Sequence, residues 1–178
     1  HPTLRRQTAL VGLAWFGSTA IYYGVALAPV RFGGDVYMHN ALGGLLEIPS
    51  YLLMPLLADR FGRRRAWAAY LLCGALPLLL PGMLPPPPPG SSAALATALS
   101  LVARFGTTGG SAICYVAAAE QFPTTTRNLG VGYGASCGRI GSVLAPVARF
   151  TPAPQLALGI VGIVAASAAL CLPGPARA

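Results

Sequence analysis

Three ionisable side chains, Glu47, Arg104 and Arg139, lie inside apolar stretches of this sequence. A charge near the middle of a bilayer costs about 2.5–3.5 kcal/mol on insertion scales, so each should face a partner or a water-filled cavity, and each is a candidate for function. Arg139 is the sharpest of the three. On a helical repeat it lines up with Gly132, Ser136, Ser142 and Pro146, a small and polar stripe on an otherwise apolar segment. A guanidinium there can grip a carboxylate through two parallel hydrogen bonds in a medium of low dielectric. The plainer alternative is a structural ion pair with Glu47. Arg104 divides in the same way between ligand contact and a structural role. Tyr22 and Tyr23 follow Trp15 and Phe16, with Phe16, Thr19 and Tyr23 on one helical face. Rings beside polar groups suit an amphipathic organic molecule, although tyrosines near a helix end also serve as interfacial anchors.

Two hydrophilic connections carry the remaining acids of interest. Asp59 precedes Arg60, Arg63, Arg64 and Arg65, and Glu120 precedes Arg127. These groups can exchange partners and latch one conformation, a gate built from ion pairs worth at most about 1 kcal/mol each where exposed. A plain topogenic role competes with that reading. No Ser/His/Asp set, no metal-ligand cluster and no phosphate-binding glycine loop is present, which argues against an enzyme and against a bound metal or cofactor. The four cysteines all fall in apolar stretches without metal-ligand spacing and are expected to be inert thiols.

The elements that position these residues follow from composition. The chain has 178 residues, 54% hydrophobic and only 9% charged, against about 25% charged in soluble domains. The net charge of +8 comes entirely from arginines scattered between apolar segments, so a nucleic-acid partner is not expected. A membrane-spanning helix needs about 20 apolar residues, and six such spans fit: about 8–29, 37–58, 66–84, 93–119, 129–150 and 155–172. Pro77 and Pro81 are tolerable in a membrane helix where neighbours satisfy the freed carbonyls. Pro85–Pro89 and the Gly-Ser-Ser that follows, residues 85–92, form a stiff linker between a first unit, 1–84, and a second, 93–178. Alternating sides puts eight arginines (Arg5, Arg6, Arg60, Arg63, Arg64, Arg65, Arg127 and Arg177) on one face, and only Arg31 and Arg149 on the other. That bias makes the first face cytoplasmic and the linker extracytoplasmic. Three spans per unit inverts the second unit relative to the first, a pattern of secondary transporters. The opening His-Pro-Thr-Leu-Arg-Arg, without a methionine or signal peptide, is expected to be a start inside a longer protein.

These residues resemble the organic ion transporters of solute carrier family twenty-two, within the major facilitator superfamily, over nearly the whole chain. Asp59-Arg-Phe-Gly-Arg-Arg64 is similar to the family's cytoplasmic D-R-x-G-R-R loop, and Glu120-Gln-Phe-Pro-Thr-Thr-Thr-Arg127-Asn-Leu-Gly130 to its E-L-Y-P-T-x-x-R-x-x-G segment. Trp15-Phe16 and Tyr22-Tyr23-Gly24 also fit. The resemblance implies an all-α membrane protein whose six helices are the seventh to twelfth of a twelve-helix carrier, probed by a small organic ion and completed by an N-terminal six-helix half, in the plasma membrane and surrounded by its lipid. With the residue chemistry above, the expected substrate contacts are Arg139, Tyr22, Tyr23, Ser136 and Arg104, the charge pairing in the membrane is at Glu47, and the cytoplasmic gate is Asp59, Arg63, Arg64, Glu120 and Arg127. An arginine at the position of Arg139 resembles anion and carnitine-type carriers rather than cation carriers, which implies anionic or zwitterionic substrates. The pattern departs from the family at Tyr51, where anion carriers often place a lysine, at Ser111, where they place an aromatic, and at Leu172-Pro173-Gly174-Pro175. A relative that does not transport, acting as a receptor, scaffold or partner subunit, is the alternative.

Overall fold

The computed structural model describes residues 2–26, 36–83, 93–151 and 153–173. The expected linker, 85–92, lies outside them. Among the described residues the chain is all-α, with six α-helices: α1 Pro2–Ala26, α2 Val36–Phe61, α3 Arg63–Met83, α4 Ala93–Gln121, α5 Arg127–Leu144 and α6 Pro154–Cys171. Three of them, α1, α2 and α6, are long and apolar enough to cross a membrane by length and composition. The others are diluted by the residues that interest us: Arg63–Arg65 at the head of α3, Arg104 with several hydroxyl residues in α4, and Arg139 among the glycines of α5.

The helix bounds follow local chemistry. Gly62, at φ 85°, turns the chain between α2 and α3 in a conformation that a side chain would strain, and Ala66 N–H closes the first α3 turn on the Gly62 carbonyl. The segment expected as one span over 129–150 is instead α-helix to Leu144 and then a 3₁₀ turn, Ala145–Phe150. Pro146 has no N–H to carry the α ladder onward, so the backbone tightens. Pro49 and Pro55 leave α2 continuous. The Ser50 hydroxyl donates to the Phe105 carbonyl (2.8 Å) and Tyr70 O–H donates to the Ser50 carbonyl (3.2 Å), stitching this proline-bearing stretch to α4 and α3.

Helix directions alternate along the chain. Gly12 packs against Tyr133 and Gly138 against Trp15, so α1 and α5 run parallel; Gly24 meets Leu158 and Gly17 meets Ala165, so α1 and α6 are antiparallel. The pairings themselves are regular: α1 lies on α5 and α6, α4 lies on α2 and α3, and α3 meets α6. Close approach depends on small residues, as expected where apolar surroundings remove the usual driving force for association. A Cβ on Gly106 would collide with the Gly74 backbone, and one on Gly109 with the Tyr70 ring. Trp15, Trp67, Ile21, Leu71 and Ile113 fill the centre. Within it, Trp67 Nε1–H donates to the Ser18 hydroxyl (3.0 Å), which donates to the Ala14 carbonyl (2.7 Å), so both buried polar groups are satisfied. Leu45, Ile48, Leu52 and Leu56 on α2, and Leu129, Ile140 and Val143 on α5, point outward. So much exposed apolar surface marks lipid or another protein surface as its neighbour.

Candidate functional site

A cavity of about 260 Å³ opens between α1, α2, α4 and α5. Arg139 and Ser142 reach it from α5, Trp15, Thr19, Tyr22 and Tyr23 from α1, Tyr51 from α2, and Ser111 and Tyr115 from α4. Tyr22 and Tyr23 stand edge to face, centroids 5.3 Å apart, as do Trp15 and Tyr115 at 4.8 Å. The walls are therefore aromatic on several sides, with one guanidinium and three aliphatic hydroxyls, those of Thr19, Ser111 and Ser142, among them.

Arg139 owes its position to the opposite face of α5. Gly134, Gly138 and Gly141 are buried against Trp15, Phe16 and Thr19, and a Cβ on Gly141 would overlap the Phe16 carbonyl oxygen. Thr19 donates its hydroxyl to the Gly138 carbonyl at 2.7 Å, its shortest contact, pinning α1 to α5 beside Arg139. Among the described residues the Arg139 guanidinium has no ion pair or hydrogen bond. Ser142 donates back to the Arg139 carbonyl (2.8 Å), which leaves its oxygen lone pairs facing the cavity. Ser136, expected in the same stripe, is exposed, donates to the Gly132 carbonyl (2.9 Å) and does not line the cavity.

Glu47 and Arg104 find one another. Arg104 Nε and Nη2 donate to Glu47 Oε1 at 3.1 and 2.9 Å, with the two side chains only 14% and 20% exposed. The ion pair that sequence offered as an alternative for Arg139 thus forms with Arg104 instead. Arg104 does not line the cavity; its guanidinium carbon sits 5.9 Å from the Tyr22 ring centre, behind the wall. Its charge is neutralised, whereas that of Arg139 is not.

At one end of the bundle the expected gate residues split. Both acids converge on a single arginine: Arg63 Nε lies 2.9 Å from Glu120 Oε1 and Arg63 Nη2 3.5 Å from Asp59 Oδ1. Arg64 donates to the Leu172 carbonyl at the end of α6. Arg127 heads α5, exposed, with no ion pair among the described residues.

Tyr115 is the wall residue that sequence reasoning missed. Arg104, Thr108, Ser111 and Tyr115 fall four, three and four residues apart, one stripe of α4, and that spacing could have brought it in once Arg104 was suspected. No group of His, Cys, Asp or Glu among the described residues is arranged to hold a metal ion.

Helices, three of them apolar enough to cross a membrane, thus enclose a charged, aromatic cavity. The chain belongs to the sugar (and other) transporter family, which matches residues 7–172, and it is a multi-pass membrane protein. Within that class its relatives are of solute carrier family 22. It is 36% identical to solute carrier family 22 member 15 of Xenopus tropicalis, over 96% of this chain and 34% of the relative. It is 32% identical to the organic cation transporter-like protein of Drosophila melanogaster, over 97% of this chain and 31% of the relative. With the human organic cation/carnitine transporter 2 the figures are 32%, 96% and 31%. The chain thus spans about a third of the length of the curated relatives it matches.

Proposed function

We propose that this chain is the C-terminal six-helix half-bundle of a plasma-membrane carrier for small organic carboxylates, anions or zwitterions, working by alternating access with an N-terminal six-helix half. The observation that carries the reading is the contrast between the two intramembrane arginines: Arg104 has Glu47, and Arg139 faces an aromatic cavity with no carboxylate of its own among the described residues. Arg139 is exposed in this half-bundle; when the other half closes over it, taking the cation out of water is tolerated if a partner arrives with it. A substrate carboxylate on Arg139 is that partner, and charge-assisted bidentate bonding gives it direction.

Helix pairing supports two inverted three-helix units. The contact of α1 with α5 and α6 is repeated by α4 with α2 and α3. Glu47 stands eleven residues past the start of α2 and Arg139 twelve past the start of α5, so the two occupy corresponding heights in the two units. At one contact between the units the α4 arginine meets a carboxylate from α2; at its counterpart, α1 brings Thr19, Tyr22 and Tyr23 to Arg139 on α5 and no acid. The substrate fills the vacancy that the symmetry leaves. All six helices then cross the membrane, α3, α4 and α5 shielding their polar stripes against one another and the other half.

The aromatic walls complete the recognition. Tyr22, Tyr23, Tyr51, Trp15 and Tyr115 can stack on an organic body or hold a quaternary ammonium over their faces. A zwitterion uses both features, in keeping with the word carnitine in one relative's name, while relatives named for organic cations alone indicate how the aromatic part serves the wider class. Arg63 with Glu120 and Asp59 forms the cytoplasmic latch that opens and closes once per cycle. Uptake by the full-length carrier in cells tests this. An Arg139→Asp variant loses carboxylate uptake; unchanged uptake overturns the assignment. Carboxylate binding without any uptake would favour a receptor.

A further inference from the structure

A second cavity, about 250 Å³ and sharing no lining residue with the first, lies where the α2–α3 turn meets the ends of α4 and α6. Arg63, Arg64 and Arg65 line it together with Glu120, Gln121 and Leu172. Its charge does not balance. Asp59 and Glu120, the acids within reach, both bond Arg63. Arg64 has only the neutral Leu172 carbonyl, and Arg65, exposed, has no ion pair among the described residues. Arg64 and Arg65 therefore line one hollow without an ion-pair partner among the described residues, its one lining carboxylate, Glu120, being engaged by Arg63. The positive-inside bias explains which side of the membrane these arginines occupy, but not their convergence on a cavity. They also stand at the first turn of a 21-residue helix, where the backbone dipole disfavours cations and favours an anion.

We propose that this cavity binds a phosphomonoester dianion from the cytoplasmic side, with Arg64 and Arg65 as its charge partners and the Gln121 amide as a neutral donor. Planar guanidiniums match phosphate oxygens in pairs, and a dianion gives Arg64 and Arg65 the anionic partner that Arg63 already has in Asp59 and Glu120. The exposed Phe61 ring at the rim accepts the body that carries the phosphate. That phosphate can come from an inner-leaflet lipid headgroup or from a soluble phosphate, and the chemistry at the arginines is the same.

The test is binding to the purified full-length carrier in neutral detergent, read by fluorescence-detected titration and independent of any uptake. Probes are dioctanoyl phosphatidylinositol 4-phosphate, inorganic phosphate, and dioctanoyl phosphatidylcholine as a lipid without a monoester. The phosphoinositide is expected to bind, and Arg65→Gln to weaken it about tenfold, the loss of one charge-assisted contact. Arg64→Gln does likewise, and Arg5→Gln, an equal loss of charge at an exposed site in α1, has no effect. Because Arg65 is exposed and unpaired, its variant should melt as the parent does, keeping the test clear of misfolding. Inorganic phosphate competing at similar concentrations assigns the site to soluble phosphate; binding of the lipid alone assigns it to the membrane. Phosphatidylcholine binding as well as the phosphoinositide, no binding of either phosphate probe, or an equal loss with Arg5→Gln overturns the proposal.

Discussion

Removing one member of the Glu47–Arg104 pair should cost far more than removing both. Two donors of Arg104 converge on one oxygen of Glu47, and both side chains are less than a quarter exposed. Glu47→Ala leaves a guanidinium shielded from water with its donors unmet, at a cost of about 3–5 kcal/mol. Arg104→Ala strands the carboxylate at a similar cost. Replacing both together, Glu47→Leu with Arg104→Leu, removes the desolvation penalty along with the attraction and should fall within about 1 kcal/mol of the parent. With Glu47→Leu and Arg104→Leu as the matching single variants, at the same cost of about 3–5 kcal/mol each, the coupling in the double-mutant cycle is then at least about 5 kcal/mol. Thermal melting of the purified carrier reads it: each single variant melts clearly below the parent and the double variant almost with it. The ligand response sharpens the case. In Glu47→Ala, Arg104 becomes a second free cation behind Tyr22, and carboxylate affinity should rise. Additive melting losses, with each single variant within 1 kcal/mol, would refute the pairing and return Arg104 to the substrate.

Four further variants probe the support of the site and the latch. Gly141→Ala drives a methyl into the Phe16 carbonyl and close to the Thr19 hydroxyl, and should destabilise by about 1–3 kcal/mol. Gly132→Ala, with open space around it, should melt within about 0.5 kcal/mol of the parent. Thr19→Val removes the hydroxyl that holds Gly138, costing about 1 kcal/mol in melting and raising KM by letting Arg139 drift. Arg63→Ala breaks both ion pairs of the latch; with partners this exposed, stability changes by at most about 1 kcal/mol, and the expected effect is on the maximal uptake rate.

Much of this was legible in the sequence because a bilayer leaves few choices. Long apolar runs dictated six helices, and their bounds moved by a few residues where terminal polar residues join the helix, as in Arg63–Arg65 of α3. Pro146 produced the one real departure, since hydropathy does not register a missing N–H. Arg139, Tyr22 and Tyr23 come together in the structure, having been singled out by charge and ring chemistry. Ser136 belongs elsewhere: a stripe at helical spacing is wide enough to straddle two environments, and only the packing of Gly134, Gly138 and Gly141 on α1 fixes which edge meets the cavity. The choice of Arg104 over Arg139 by Glu47 was equally hidden, because pairing across helices depends on which helices are neighbours. Spacing within one helix carries no record of that.

The central claim is that Arg139 reads a carboxylate, and inhibition by matched ligands tests it most directly. An aromatic carboxylate and its primary amide differ in little but charge. Against uptake by the full-length carrier, the acid should inhibit at least about tenfold more strongly than the amide, the worth of one charge-assisted contact. In Arg139→Gln that ratio should fall to near one, with the amide's own potency unchanged. A variant that still prefers the acid as strongly as the parent does would contradict the account.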